Sequence, residues 1–109
     1  MEKRKIVVKI IAKENPYNYN GESILNKDLL IFDDKEYHNI FDFKTKRLIR
    51  EKKGLRLLID YEKQEISLNS DNANLNFNFE VKKKKVSIID VDISYKIKCD
   101  SIRLIIKEV

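Results

Sequence analysis

Apolar and polar residues alternate one by one along most of this chain. That is the mark of strands with one buried face, because successive side chains of a strand point to opposite sides. Leu75, Phe77, Phe79 and Val81 alternate with Asn74, Asn76, Asn78, Glu80 and Lys82. Ile89, Val91, Ile93, Tyr95 and Ile97 alternate with Asp90, Asp92, Ser94, Lys96 and Lys98. A helix would scatter either set around its circumference. Leu55, Leu57, Ile59 and Tyr61 make a third stripe, followed after the polar residues 62–64 by Ile66 and Leu68, the spacing of a hairpin. Ile102, Leu104 and Ile106 make a fourth, and the apolar run 6–11 supplies the first strand. Residues 29–32 and 37–43 flank Asp33, Asp34 and Lys35, whose short acidic side chains suit a tight turn.

Two segments break the pattern. Residues 13–23 hold the only Pro, a Gly and three Asn around Tyr17 and Tyr19, which predicts a surface loop. Residues 44–56 carry Lys44, Lys46, Arg47, Arg50, Lys52, Lys53 and Arg56 against the single acid Glu51, and fit a strand, a frayed turn or a short helix. No linker, internal repeat or low-complexity tract is read, so residues 1–109 form one domain. About eight or nine strands joined by short turns predict an all-β fold, a small antiparallel barrel, with a two-sheet sandwich sharing the same periodicity. Its interior is expected to hold Leu55, Leu57, Ile59, Leu75, Phe77, Phe79, Ile93, Tyr95, Ile97, Ile102, Leu104 and Ile106.

The run 74–81, the basic turn at Lys82, Lys83, Lys84 and Lys85, residues 86–89, then Val91-Asp92-Ile93-Ser94-Tyr95-Lys96-Ile97 and a closing Ile-rich strand set the character of residues 53–109. This half, with the paired segments of 29–43, resembles the YwiB-like family, small bacterial proteins of unknown function with a calycin-like β-barrel. The chain departs from that family where a Gly-rich turn would precede the Tyr95 strand, since Ile89 runs straight into Asp90 and implies a merged or shortened hairpin. The resemblance implies a bacterial calycin-like barrel and carries over no catalytic residue.

Composition narrows the classes further. With 42% hydrophobic residues the chain can bury an ordinary core. The net charge of +5 comes with far more Lys than Arg, whereas Arg is the residue suited to bidentate phosphate contacts, so the charge speaks mainly of a solvated surface. A lone Cys99 forms no intramolecular disulfide and predicts a reducing compartment, the cytoplasm. Residues 1–12 have a basic head, but Lys9 breaks the apolar run and no small-residue cleavage site follows, so they read as a strand and not a leader. No stretch approaches the roughly 18 apolar residues of a membrane span.

The inventory for chemistry is thin. His38 alternates away from Tyr37 and Phe41 and should face solvent; Cys99 lies in the last turn with no base beside it. Asp90 and Asp92 share one strand face with Lys96 and Lys98, the charge pattern of an exposed surface. The two glycines, Gly21 and Gly54, are far apart and make no phosphate loop. The expectation is therefore a non-enzymatic binding module with no cofactor and no metal. Its partner would be a small ligand or another protein, held in the barrel by Phe41, Tyr61, Phe77, Phe79 and Tyr95, with the two tyrosines at the mouth. The alternative is an accessory protein for a polyanion such as RNA, using Lys82, Lys83, Lys84 and Lys85 at a hairpin tip with Arg47 and Arg50.

Overall fold

A computed structural model describes residues 1–109. The strands are β1 (Glu2–Ile11), β2 (Tyr17–Asn26), β3 (Leu29–Asp33), β4 (His38–Asp42), β5 (Arg47–Lys52), β6 (Leu55–Asp60), β7 (Glu65–Ser70), β8 (Asn74–Asn78), β9 (Glu80–Ser87), β10 (Asp90–Ile97) and β11 (Asp100–Glu108). All belong to one antiparallel sheet in the order β8-β7-β6-β5-β4-β3-β2-β1-β11-β10-β9. The sheet curls into a nearly closed all-β barrel, as the alternation predicts. No helix is long and apolar enough to cross a membrane.

Closure depends on one long stretch of chain. Residues 74–78 pair with β7, and beyond Phe79 the same chain pairs with β10, as in Glu80 opposite Lys96. The two ends of the sheet order are thus consecutive segments of one strand, joined at a single residue.

The lower turns follow a rule that the sequence reading missed. The Oδ1 atoms of Asp42 and Asp60 each accept two backbone N–H groups just ahead of them: Lys44 and Thr45 at 2.9 and 3.1 Å, Glu62 and Lys63 at 3.0 and 2.9 Å. Each turn ends on a left-handed residue, Lys46 or Gln64, both at φ 59°. The Phe43, Tyr61 and Phe79 N–H groups then bond the carbonyls of Asp28, Lys46 and Gln64. Donors and acceptors both step by eighteen residues, so a short structural repeat is present after all. It brings aromatic rings together: Tyr61 lies 5.8 Å from Phe79 and 5.2 Å from Tyr95, and Phe41 lies 5.2 Å from Phe43.

Several expectations are corrected. There are eleven strands. Residues 17–26 form β2 and leave only 12–16 as a loop, because β1 supplies a full ladder of partners as far as Ile10 opposite Tyr17. Residues 47–52 form β5, with Gly54 at φ 79° making the next turn. Lys82, Lys83, Lys84 and Lys85 lie within β9, and the hairpin tip is Ile88-Ile89, where Ile89 takes φ 49° with its side chain buried. Ile59, Phe79, Ile93, Tyr95, Leu104 and Ile106 are interior, but Leu75 and Phe77 are 54% and 41% exposed. They share a face with buried Ile66, yet β8 stands at a sheet end with nothing to cover it. Leu55, Leu57, Ile97 and Ile102 are only partly buried.

Candidate functional site

The β2–β3 ladder is short. It runs from Asn26 opposite Leu29 only to Ile24 opposite Ile31. Above that point β2 stays with β1 and β3 stays with β4, so the strands diverge and leave a cleft of about 950 Å³ between upper β2, the 33–37 turn and Arg50. Tyr19 fills its base, with its ring 4.8 Å from Phe32 and its hydroxyl donating to the Glu22 carbonyl at 2.6 Å. Gly21 permits this, because a Cβ there would come within 2.8 Å of the Tyr19 oxygen.

Asp34 organises the wall. Its Oδ1 accepts the N–H groups of Glu36 at 2.8 Å and Tyr37 at 2.6 Å, which forms the turn. Its Oδ2 accepts the Tyr17 hydroxyl at 2.5 Å, Asn39 Nδ2 at 3.1 Å and Arg50 Nη2 at 3.2 Å. Burial alone would push this carboxyl up, but the hydrogen bonds from Tyr17, Tyr37, Glu36 and Asn39 outweigh it and hold the group well below the usual carboxylate range. Burial, then the bond to Asp34, pushes the Tyr17 hydroxyl up.

Arg50 is two residues from buried Leu48 and so points to the same face of β5. An inward charge needs partners. Its Nε donates to Asn39 Oδ1 at 2.9 Å, and its Cζ sits 4.5 Å from the Tyr17 ring centre and 4.3 Å from that of Tyr37, a guanidinium between two aromatic faces. Nη1 has no partner in the protein. The acids around the cleft are engaged: Asp34 as above, Asp33 with His38 Nδ1 at 2.5 Å, and Glu36 with Lys52 at 3.6 Å. Lys35, also on the cleft, is in no ion pair.

The residues singled out from sequence fall elsewhere. Phe41, Tyr61, Phe79 and Tyr95 are packed ring against ring in the core, and Tyr61 and Tyr95 stand at 0% and 3% exposure, not at a mouth. The Tyr61 hydroxyl is buried without a hydrogen-bond partner. Phe77 lies on the open face of β8. Lys82 and Lys84 pair with Glu80 and Glu62 at 2.6 Å each, Lys85 with Asp90 at 3.2 Å, and Arg47 with the nearly buried Asp60 at 3.0 Å. Lys83 is exposed on β9, and Arg50 is on the opposite face of β5 from Arg47, so the six cations form no single patch. His38 faces outward as expected, Cys99 is exposed in the β10–β11 turn, and Asp90 and Asp92 are held by Lys107 and Arg103. The cleft residues Tyr17, Asp34 and Tyr37, and the buried Asn39 that holds Asp34 and Arg50, were missed. The signal was there in the alternation of Tyr17, Tyr19 and Gly21 and of Leu48 and Arg50, overridden by Pro16 and by the density of charge.

Comparison with protein-family models, curated proteins and solved structures returned no match.

Proposed function

We propose that the protein is a non-enzymatic barrel binding module whose ligand site is the β2–β3 cleft, and that it takes a small molecule bearing an oxyanion, a carboxylate or a phosphate ester. The observation that carries the reading is Arg50, clamped between Tyr17 and Tyr37 and oriented by Asn39 and Asp34 while one guanidinium nitrogen stays free, in a cleft that the unpaired Lys35 also lines. A prefixed guanidinium loses little freedom on binding an oxyanion, and the tyrosine rings offer faces for a planar ligand body. The reading rests on the cleft and draws nothing from the likeness to the YwiB-like family. The polyanion alternative has less support, since Lys82, Lys84, Lys85 and Arg47 are each engaged by an acid, which leaves Lys83 as the one unpaired cation of the β9 run, and Arg50 stands apart from them on the cleft.

A thermal-shift panel of small carboxylic acids and phosphomonoesters tests it. A ligand at a hundredfold excess over its Kd stabilises the fold by about 2.7 kcal/mol. At least one compound should raise the melting temperature of the native chain, and Lys35→Glu should abolish that rise without shifting the unliganded melt. No rise with any oxyanion, or a rise unchanged in Lys35→Glu and Tyr37→Ala, removes the proposal.

A further inference from the structure

The two ends of the sheet are defended very differently. The β9 edge carries Lys82, Lys83, Lys84 and Lys85, the charged residues that discourage strand addition. The β8 edge has no such guard. Residues 72–78 contain no charge, no Pro and no bulge, every β8 residue is exposed, and Leu75 and Phe77 lie bare on one face.

The direction of its hydrogen-bonding groups follows from the ladder. Ser70 N–H bonds Ala73 O at one end and Phe79 N–H bonds Gln64 O at the other. Antiparallel pairs alternate between bonded and non-bonded, so Leu75 and Phe77 spend their backbone groups on β7, while those of Asn74, Asn76 and Asn78 point outward. That outward row is self-complementary. Turned about a two-fold axis through Asn76, a second β8 sets Asn76 against Asn76 and Asn74 against Asn78, with each N–H meeting a carbonyl. Leu75 then faces Phe77 of the other copy in the non-bonded positions, where side chains approach most closely. Neutral meets neutral, and the exposed apolar pair on each copy covers its counterpart.

We infer that β8 is the interface of a two-fold homodimer, in which two barrels join edge to edge through antiparallel β8 strands centred on Asn76. Sedimentation of the native chain should show a dimer. Asn76→Pro deletes an N–H that the single barrel does not use, and proline is tolerated at such an edge. This variant should be monomeric and keep the native circular-dichroism spectrum. Phe77→Lys should do the same by a different route, which guards against a folding defect in either. In a Cys99→Ser background, Asn76→Cys places two thiols opposite each other at the two-fold axis and should give a disulfide-linked dimer under mild oxidation. A native chain that stays monomeric at hundreds of micromolar overturns the inference. So does a dimer that survives both substitutions and does not cross-link at position 76.

Discussion

Gln64 and Val81 meet across the seam of the barrel: the Gln64 side-chain carbonyl accepts the Val81 N–H at 2.7 Å, two residues beyond Phe79, whose N–H makes the last backbone bond on this side of the strand, to the Gln64 carbonyl. The side chain continues a ladder that the backbone has stopped supplying, at the place where the strand leaves β7 for β10.

Gln64 and Lys46 occupy equivalent turns at the same φ of 59°, but only Gln64 has this second duty. Left-handed backbone costs an L-residue about 1 kcal/mol that glycine avoids. Lys46→Gly should therefore gain up to about 1 kcal/mol in urea melts, since its exposed pair with Glu62 at 3.4 Å is worth little. Gln64→Gly should gain nothing or lose, because it strips the Val81 N–H of its partner. Equal gains for both would show the seam contact to be without weight.

Phe77 and Phe79 are two residues apart and should respond very unequally to truncation. Phe79→Ala empties a site walled by Tyr61 and Tyr95 and is expected to cost about 3 to 5 kcal/mol. Phe77→Ala, at 41% exposure, should cost about 1 kcal/mol or less when measured at low protein concentration. Denaturant midpoints decide between this order and the one the alternation alone implies.

That pair also shows how far the sequence could be read. Alternation assigned Phe77 and Phe79 to the same face, correctly, and located the hairpins at 33–35 and 62–64 because Asp and polar turn residues signal themselves locally. Periodicity says which side chains share a face but not whether anything covers it; that depends on where the sheet ends. β2 was lost to Pro16, Gly21 and the asparagines, because its strand character comes from pairing with β1 and not from its own propensities. The cleft was invisible for a related reason, since it arises where the β2–β3 ladder stops, a fact of registry between segments.

Acid should find the cleft through Asp34. Its folded-state pKa is depressed, so its contribution to stability is fully present above the ordinary aspartate range and is lost as pH falls below about 4 toward the folded value. Melts between pH 5 and pH 2 should fall more steeply for the native chain than for Asp34→Asn, which is less stable at neutral pH but has no carboxyl to protonate. Parallel curves would mean that the Tyr17 and Asn39 bonds to Asp34 do not hold in solution.

Base should act through the core. Burial, then the neighbouring Tyr95, pushes the Tyr61 hydroxyl well above the ordinary tyrosine value, so the folded state resists its ionisation and stability is lost as pH rises past about 10. Tyr61→Phe removes an oxygen that is buried without a partner. It should leave stability at pH 7 unchanged or higher by about 1 kcal/mol, with a shallower alkaline decline. A loss at pH 7 would reveal a hydrogen bond to that hydroxyl.

Every neighbouring pair in the sheet is consecutive along the chain except β1 with β11, where Ile6 lies opposite Glu108 and Arg4 holds Glu108 at 2.9 Å. Seen as a process in time, the barrel can be assembled by zippering one hairpin onto the next, with little loop entropy lost at each step, until a single pairing remains that must bring together residues a hundred positions apart. The cost of contact between distant parts of the chain is thus concentrated in one event. Turns such as those at Asp42 and Asp60 need only local contacts, whereas the β1–β11 ladder needs the two distant parts of the chain to meet.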